Sequence, residues 1–393
     1  MPGIKIARQM GLHVVVSDMD PNAPGFKYAH GRLLASTYDI PATVKVARDY
    51  EIKVRKLDGV ISIAADVPLT VASVASELGL PGIPVKSSEL ASNKLSMKKK
   101  FEQDGVAIPW YCQVKSVQHL QQLIQNVGYH LILKPVDSRG ARGVIRLLEN
   151  VDLQWAYNLA LNYSPTKRVM VEEFLTGPQI STESFVVDGK VYTPGFSDRN
   201  YERMEKYAPY VIEDGGDLPS CLPEEIKNAT CDLVAEAAKS MGIKNGTVKG
   251  DIVIHEGKPF VIELAPRLSG GYFCTHTIPL NTGVEFVKQA IRLALGEKPE
   301  PENMQPKFER FICQRFLFPT PGKVTKVVGY KQVTGRKKII LCDVYVQPGD
   351  IIEKIDCHPA RPGVVIAAGE SRRDAIKIAT GAVNSIKIET VPL

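Results

Sequence analysis

Lys249-Gly-Asp251-Ile-Val-Ile-His-Glu-Gly-Lys-Pro-Phe-Val-Ile-Glu263-Leu-Ala-Pro-Arg267 sets an acid into each of two apolar runs, on either side of a His255-Glu-Gly257 turn. Strand-forming residues flanking a glycine turn predict an antiparallel hairpin over 247–254 and 258–264. Acids placed this way can face each other across neighbouring strands. Mg²⁺ commonly takes one or two carboxylates together with phosphate oxygens, so Asp251 and Glu263 are candidate metal ligands. Two unrelated surface acids are the alternative, weakened because each breaks an otherwise hydrophobic strand. Directly after the hairpin, Arg267-Leu-Ser-Gly-Gly271 joins an arginine fork to a glycine pair, a pattern able to hold an oxyanion or to serve as a plain turn.

Two further blocks lie upstream. Strand 131–135 ends in Lys134 and opens into Ser138-Arg-Gly-Ala-Arg-Gly143. Glycines let backbone N–H groups approach phosphate oxygens, while lysine adds a point charge; alone, such a loop is structural about as often as functional. The second block is the strand over 168–172, which ends in Glu172-Glu173-Phe174-Leu175 and is followed by a strand over 179–187. Backbone groups there can read a purine edge between apolar side chains. On the second strand Gln179, Ser181 and Glu183 share one face; a half-buried strand with a polar face is the even alternative.

With 393 residues, two to four domains are expected. The composition, 44% hydrophobic and 23% charged, is that of a globular protein, with no apolar run long enough to span a bilayer. Seven dispersed cysteines without metal-type spacing predict reduced thiols in a cytoplasmic chain. Net charge is only +6, and the densest basic run, Lys94 to Lys100, lacks stacking aromatics, which argues against nucleic acid as a partner. Lys98 to Lys100 read as a solvated helix face.

Residues 1–92 alternate strand and helix: a β-rich run over 11–18, a second buried strand over 59–65 and a helix from Pro68 predict a parallel α/β unit. The segment opens on a helix, so the strand expected before it is absent from the pattern. A helix over 93–103, a Gly-rich-loop unit over about 109–175, a helix over 223–241 and a final helix over 283–295 make up 93–305. A Pro-rich stretch then leads into a β-rich region, 306–393, closed by a helix.

In this order the blocks resemble the ATP-grasp superfamily. The resemblance rests on Asn93-Lys94, Lys134 with Ser138–Gly143, Glu172 to Leu175, Asp251, and Glu263 to Arg267. It implies an α/β (α+β) ATP-grasp fold: a parallel α/β pre-grasp domain (1–92, its first strand apparently missing), an ATP-grasp domain (93–305) and a small C-terminal β-rich domain (306–393). It also implies ATP and Mg²⁺, with Mn²⁺ as an admissible substitute. Lys94 and Lys134 would bind phosphates. Ser138, Arg139, Gly140, Arg142 and Gly143 would form a mobile lid. Glu172, Glu173, Phe174 and Leu175 would line the adenine site, and Gln179 or Glu183 would reach the ribose. Asp251 and Glu263 would hold metal, and Arg267 with Lys134 would be catalytic.

The glycine pair after Arg267 is closer to ligases joining amino acids or other small carboxylates to amines than to biotin carboxylases. The tail around His358-Pro-Ala-Arg-Pro-Gly363 is similar to that group. The implied activity is therefore an ATP-dependent ligase that activates a small carboxylate as an acyl phosphate for attack by an amine. Partners would be small molecules rather than nucleic acid or membrane, with a homodimer allowed. Two alternatives stand beside it: an ATP-binding protein with lost or residual catalysis, and a biotin-carboxylase or purine-pathway type of ATP-grasp enzyme. Ala265, where the family usually has asparagine, supports the first of these, and Asp251 stands where glutamate is more usual. His276 could touch substrate, although a structural histidine is the commoner case.

Overall fold

The computed structural model describes residues 1–393. An eight-stranded sheet forms its centre. From one edge, its strands are Lys258–Ala265, Gly246–His255, Gln179–Val187, Lys190–Asn200, Gly215–Leu218, Phe311–Phe316, Gly363–Gly369 and Ile339–Val344. The sheet runs through the Pro-rich stretch around 305 without a break, because Phe311–Phe316 pairs antiparallel with Gly215–Leu218. Two glycines make that junction possible. A Cβ on Gly215 would lie 2.1 Å from the Gln314 carbonyl oxygen, and one on Gly216 would lie 3.0 Å from Ser197 Oγ.

Helix Glu224–Ser240 covers one face of this sheet, with acids in its first turn and Lys239 in its last, each opposing the helix dipole. Leu233, Val234 and Ala237 pack there with Val248, Ile252, Val261 and Leu264 from the hairpin. Beneath them lies helix Lys94–Gln103, started by the Asn93 side chain, which accepts a hydrogen bond from Ser96 N. Its buried face is Lys94, Leu95, Met97, Lys98 and Phe101, a helical spacing that carries two lysines inward.

A smaller sheet, in the order Tyr111–Val114, Val169–Glu173, Leu131–Pro135 and Ile145–Arg146, stands opposite the first. Helices Val117–Val127 and Leu153–Asn162 back it, burying Leu120, Ile124, Ala156 and Ala160 against Leu131, Leu133 and Val171. The two sheets hold the functional residues between them.

The first 92 residues depart from expectation in one respect. Val15–Asp18 and Gly31–Leu34 form a parallel pair, and helices Ile40–Lys53, Pro68–Glu77 and Val85–Ser92 follow. Residues 59–65, however, are neither a strand nor buried. They make one bridge, Ile63 to Leu268, and Ile61 is 38% exposed. Ala64 takes φ of 65°, and its N–H donates to the Leu268 carbonyl. The chain turns there instead of extending, which brings Asp66 onto Arg267.

No helix is long and apolar enough to cross a membrane.

Candidate functional site

Two cavities meet between the sheets. The smaller, about 160 Å³, is lined by Lys94, Lys134, the loop Ser138–Arg142, Glu172–Leu175, Gln179 and apolar residues including Ile132, Val253 and Ile262. The larger, about 500 Å³ and lined mainly by polar and charged residues and glycines, runs from there past Arg267 and Gly270–Gly271 to Phe316 and Arg361. Arg199, Asp251, Glu263 and the loop from Arg139 to Arg142 line both.

Asp251 and Glu263 sit at this junction as a cross-strand pair, in register on adjacent antiparallel strands. Oδ1 of Asp251 takes Arg199 Nη1 at 2.9 Å and the Lys249 ammonium. Burial opposes ionisation of this carboxyl, but the two cations prevail and hold it well below the usual range. Its Oδ2 has no partner in the protein, and Glu263 meets only Lys94, at 3.5 Å. Two free carboxylate oxygens beside a lysine-rich cradle fit Mg²⁺, which completes its shell with phosphate and water. Ala265 is the cross-strand partner of Lys249. Where an asparagine would add an oxygen, this chain has a methyl group and, opposite it, a fixed ammonium already on Asp251.

Lys98 corrects the reading of 98–100 as a solvated face. It is wholly buried, donates to the Val261 carbonyl at 2.9 Å and lies 3.1 Å from Glu172 Oε2. Lys134 reaches the same oxygen at 2.8 Å. Burial lowers the Lys98 pKa to about 8, against the raising influence of Glu172. Burial also opposes the charge on Glu172, yet the two ammoniums keep its carboxyl below the ordinary range. Glu172 is thus the counter-ion that fixes Lys134 in place. Beyond it, the N–H groups of Glu173 and Phe174 are used by Trp110 and His130 carbonyls. The N–H of buried Leu175 finds no acceptor in the protein, which leaves a donor for a purine edge.

Of the two residues expected near a ribose, Gln179 lines the smaller cavity and Glu183 does not. Glu183 is sealed under Ser269, accepting from its N–H at 2.8 Å and from its hydroxyl. Burial raises its pKa to about 7, with the Ser269 bonds pulling the other way. Because the unfolded pKa is near 4.5, this raised carboxyl contributes stability that is full below pH 4.5 and is lost as pH rises through 7. Glu183→Gln, which stays neutral, is therefore expected to gain stability over wild type by about 3 kcal/mol between pH 4.5 and 8. Paired denaturant titrations at the two pH values check this, and a constant difference would contradict it.

Arg267 donates to Asp66 Oδ1 at 3.1 Å and to the Leu268 carbonyl at 3.2 Å, which aims the fork into the larger cavity. The loop Ser138–Gly143 is docked rather than free. Lys94 Nζ donates to the Ser138 carbonyl at 2.8 Å, His358 N–H donates to the Gly140 carbonyl at 3.0 Å, and Arg139 lies over the Tyr38 ring. Opening must break these contacts. His276 lines neither cavity, and its Nδ1 bonds Thr275 Oγ1.

Residues 91–271 match the model of the ATP-grasp domain, and residues 315–391 match that of L-amino acid ligase C-terminal domain 2. A D-alanine–D-alanine ligase of Gloeobacter violaceus is 30% identical over 229 residues, 55% of this chain and 69% of that protein. An uncharacterized protein of Sinorhizobium fredii, y4rH, is 25% identical over 98% of this chain and 79% of its own length. In fold, the chain is similar to the crystal structure of L-amino acid ligase from Bacillus licheniformis. The TM-score is 0.83 at 21% identity, covering 99% of this chain and 95% of that one.

Proposed function

This chain belongs to the ATP-grasp family of ligases, which use ATP with divalent metal ions to activate carboxylates, and from that premise we propose how its own residues divide the work. The smaller cavity takes the nucleotide. Leu175 N–H meets the purine edge, Gln179 the ribose, and Lys94 and Lys134 the phosphates. The larger cavity takes the carboxylate and the amine. The γ-phosphate then lies where the two meet, beside Asp251 and Glu263, and that junction is the observation that carries the reading.

An oxygen of the carboxylate attacks the γ-phosphorus, the bond to the β-phosphate oxygen breaks, and ADP leaves. The amine nitrogen attacks the carbonyl of the resulting acyl phosphate, the C–O bond to phosphate breaks, and the nitrogen gives up its surplus proton. Magnesium, held by Glu263 and Asp251 Oδ2, would neutralise phosphate charge. The chain does the rest by position and fixed charge. Lys134 is set by Glu172, and Arg267, oriented by Asp66, faces the transferring phosphoryl group. Lys249 and Arg199 balance Asp251, and water would fill the position that an amide oxygen at 265 would take. The docked loop keeps water from the acyl phosphate.

A screen for phosphate release from ATP over pairs of small carboxylates and amines tests this. Release should require an acid. ATP binding without turnover on any pair would favour a nucleotide-binding role instead.

A further inference from the structure

The larger cavity holds an imbalance of charge that the chemistry above does not use. Each of its acids already has a cation. Glu213 and Asp251 pair with Arg199 at 2.7 and 2.9 Å, Asp251 also with Lys249, Asp66 with Arg267 at 3.1 Å, and Glu263 with Lys94 at 3.5 Å. Three guanidiniums lining the same space, Arg139, Arg142 and Arg361, have no carboxylate within ion-pair distance. The first two ride on the glycine loop next to the proposed phosphate site. Arg361 comes instead from the C-terminal region, after the short turn His358–Ala360, and stands on the wall formed with Phe316.

Arg361 is held rigidly. Nε donates to the His358 carbonyl at 2.8 Å and Nη1 to the Glu213 carbonyl at 2.7 Å. Its plane lies over the Phe316 ring, 3.5 Å from the centroid. These contacts fix the fork but leave both Nη2 hydrogens and one on Nη1 without an acceptor. Burial and the nearby Arg199 make its charge costly, pulling its pKa down to about 10 despite Glu213. A guanidinium held in one orientation, without a counter-ion and facing a polar cavity, is set for bidentate capture of an oxyanion.

Resting on the ligase reading, we propose that the carboxylate substrate carries a second anionic group, a carboxylate or a phosphate remote from the carboxyl that is activated, and that Arg361 seats it. Substrates of this class are acidic amino acids and their phosphorylated or dicarboxylic counterparts, rather than acids with apolar side chains. The other end of the molecule is then placed toward Arg267 and the junction.

The test uses hydroxylamine as a general nucleophile, so that the natural amine need not be known, and reads phosphate release from Mg-ATP. L-Aspartate and L-glutamate are compared with L-asparagine and L-glutamine, and O-phospho-L-serine with L-serine, which separates a carboxylate from a phosphate as the second group. Wild type should favour the charged member of at least one pair by tenfold or more in kcat/KM. Arg361→Gln should raise KM for that member at least tenfold more than for its neutral partner, and Arg361→Lys should restore part of the preference. Equal use of both members by wild type, or equal loss for both in Arg361→Gln, overturns the proposal and leaves Arg361 a structural clamp. If no acid drives phosphate release, the ligase reading is what fails. The subsite is then judged by calorimetry with succinate and inorganic phosphate in the presence of Mg-ADP. Binding of either that Arg361→Gln abolishes upholds it, and binding to neither overturns it.

Discussion

Glu263→Ala is expected to lower turnover by about a thousandfold, the scale on which losing a group that stabilises transition-state charge is felt. Glu263 stands in register with Asp251, and its only protein partner is Lys94 at 3.5 Å. Asp251 is the one other acid lining both cavities, and with one of its oxygens already taken by Arg199 and Lys249 it cannot replace those of Glu263. The fold should hardly notice. Its side chain is 24% exposed and paired only loosely, so the stability change should stay within about 1 kcal/mol. Phosphate release at saturating substrates, together with a melting curve, gives both numbers. Retention of most activity would remove the hairpin acids from the chemistry.

Glu172→Ala should do the opposite, striking the fold first. It leaves the ammoniums of Lys98 and Lys134, 0% and 6% exposed, side by side without a counter-ion. Breaking a buried ion cluster by removing one member typically costs about 3–5 kcal/mol. The loss should deepen as pH falls from above 8 to neutral, while Glu172 of wild type stays ionised. Burial lowers the Lys98 pKa to about 8 even with Glu172 in place, and without Glu172 it falls further, so below 8 the variant alone loses stability to proton uptake by the unfolded chain. Replacing all three residues by apolar ones of similar volume should recover the stability without recovering nucleotide affinity. Denaturant unfolding and calorimetry with Mg-ADP separate the two effects. A Glu172→Ala protein within 1 kcal/mol of wild type would mean that the lysines find other partners.

What the sequence revealed follows from how local each signal was. The hairpin was readable because two short strands around Gly257 fix their own register, and Asp251 and Glu263 stand out from apolar neighbours. The helix starting at Asn93 and the strand carrying Lys134 were equally local. Lys98 was not, since its counter-ion lies on a distant strand. Its only sequence signal was its position four residues after Lys94 on one helix face. Arg199 was missed because it lies at the polar end of strand Lys190–Asn200, where only its alternation with Ser197 marks the cavity side. Asp66 was hidden by reading 59–65 as a strand, when Ala64 turns the chain toward Arg267. The continuity of the large sheet depends on Gly215 and Gly216, whose pattern resembles a loop and whose reason is the close approach of Gln314 and Ser197. Glu183, which the resemblance offered beside Gln179 for the ribose, is covered by Ser269, a contact that strand alternation does not reveal.

The measurement that bears most directly on the ligase chemistry follows carboxylate oxygen. Acids labelled with ¹⁸O in the carboxyl group are turned over with Mg-ATP and hydroxylamine, and the released phosphate is weighed by mass spectrometry. Attack of the carboxylate on the γ-phosphorus predicts one labelled oxygen in each phosphate formed, with ADP as the other product. Unlabelled phosphate released at the same rate with and without acid would mean that water, not a carboxylate, takes the phosphoryl group, and would contradict the account.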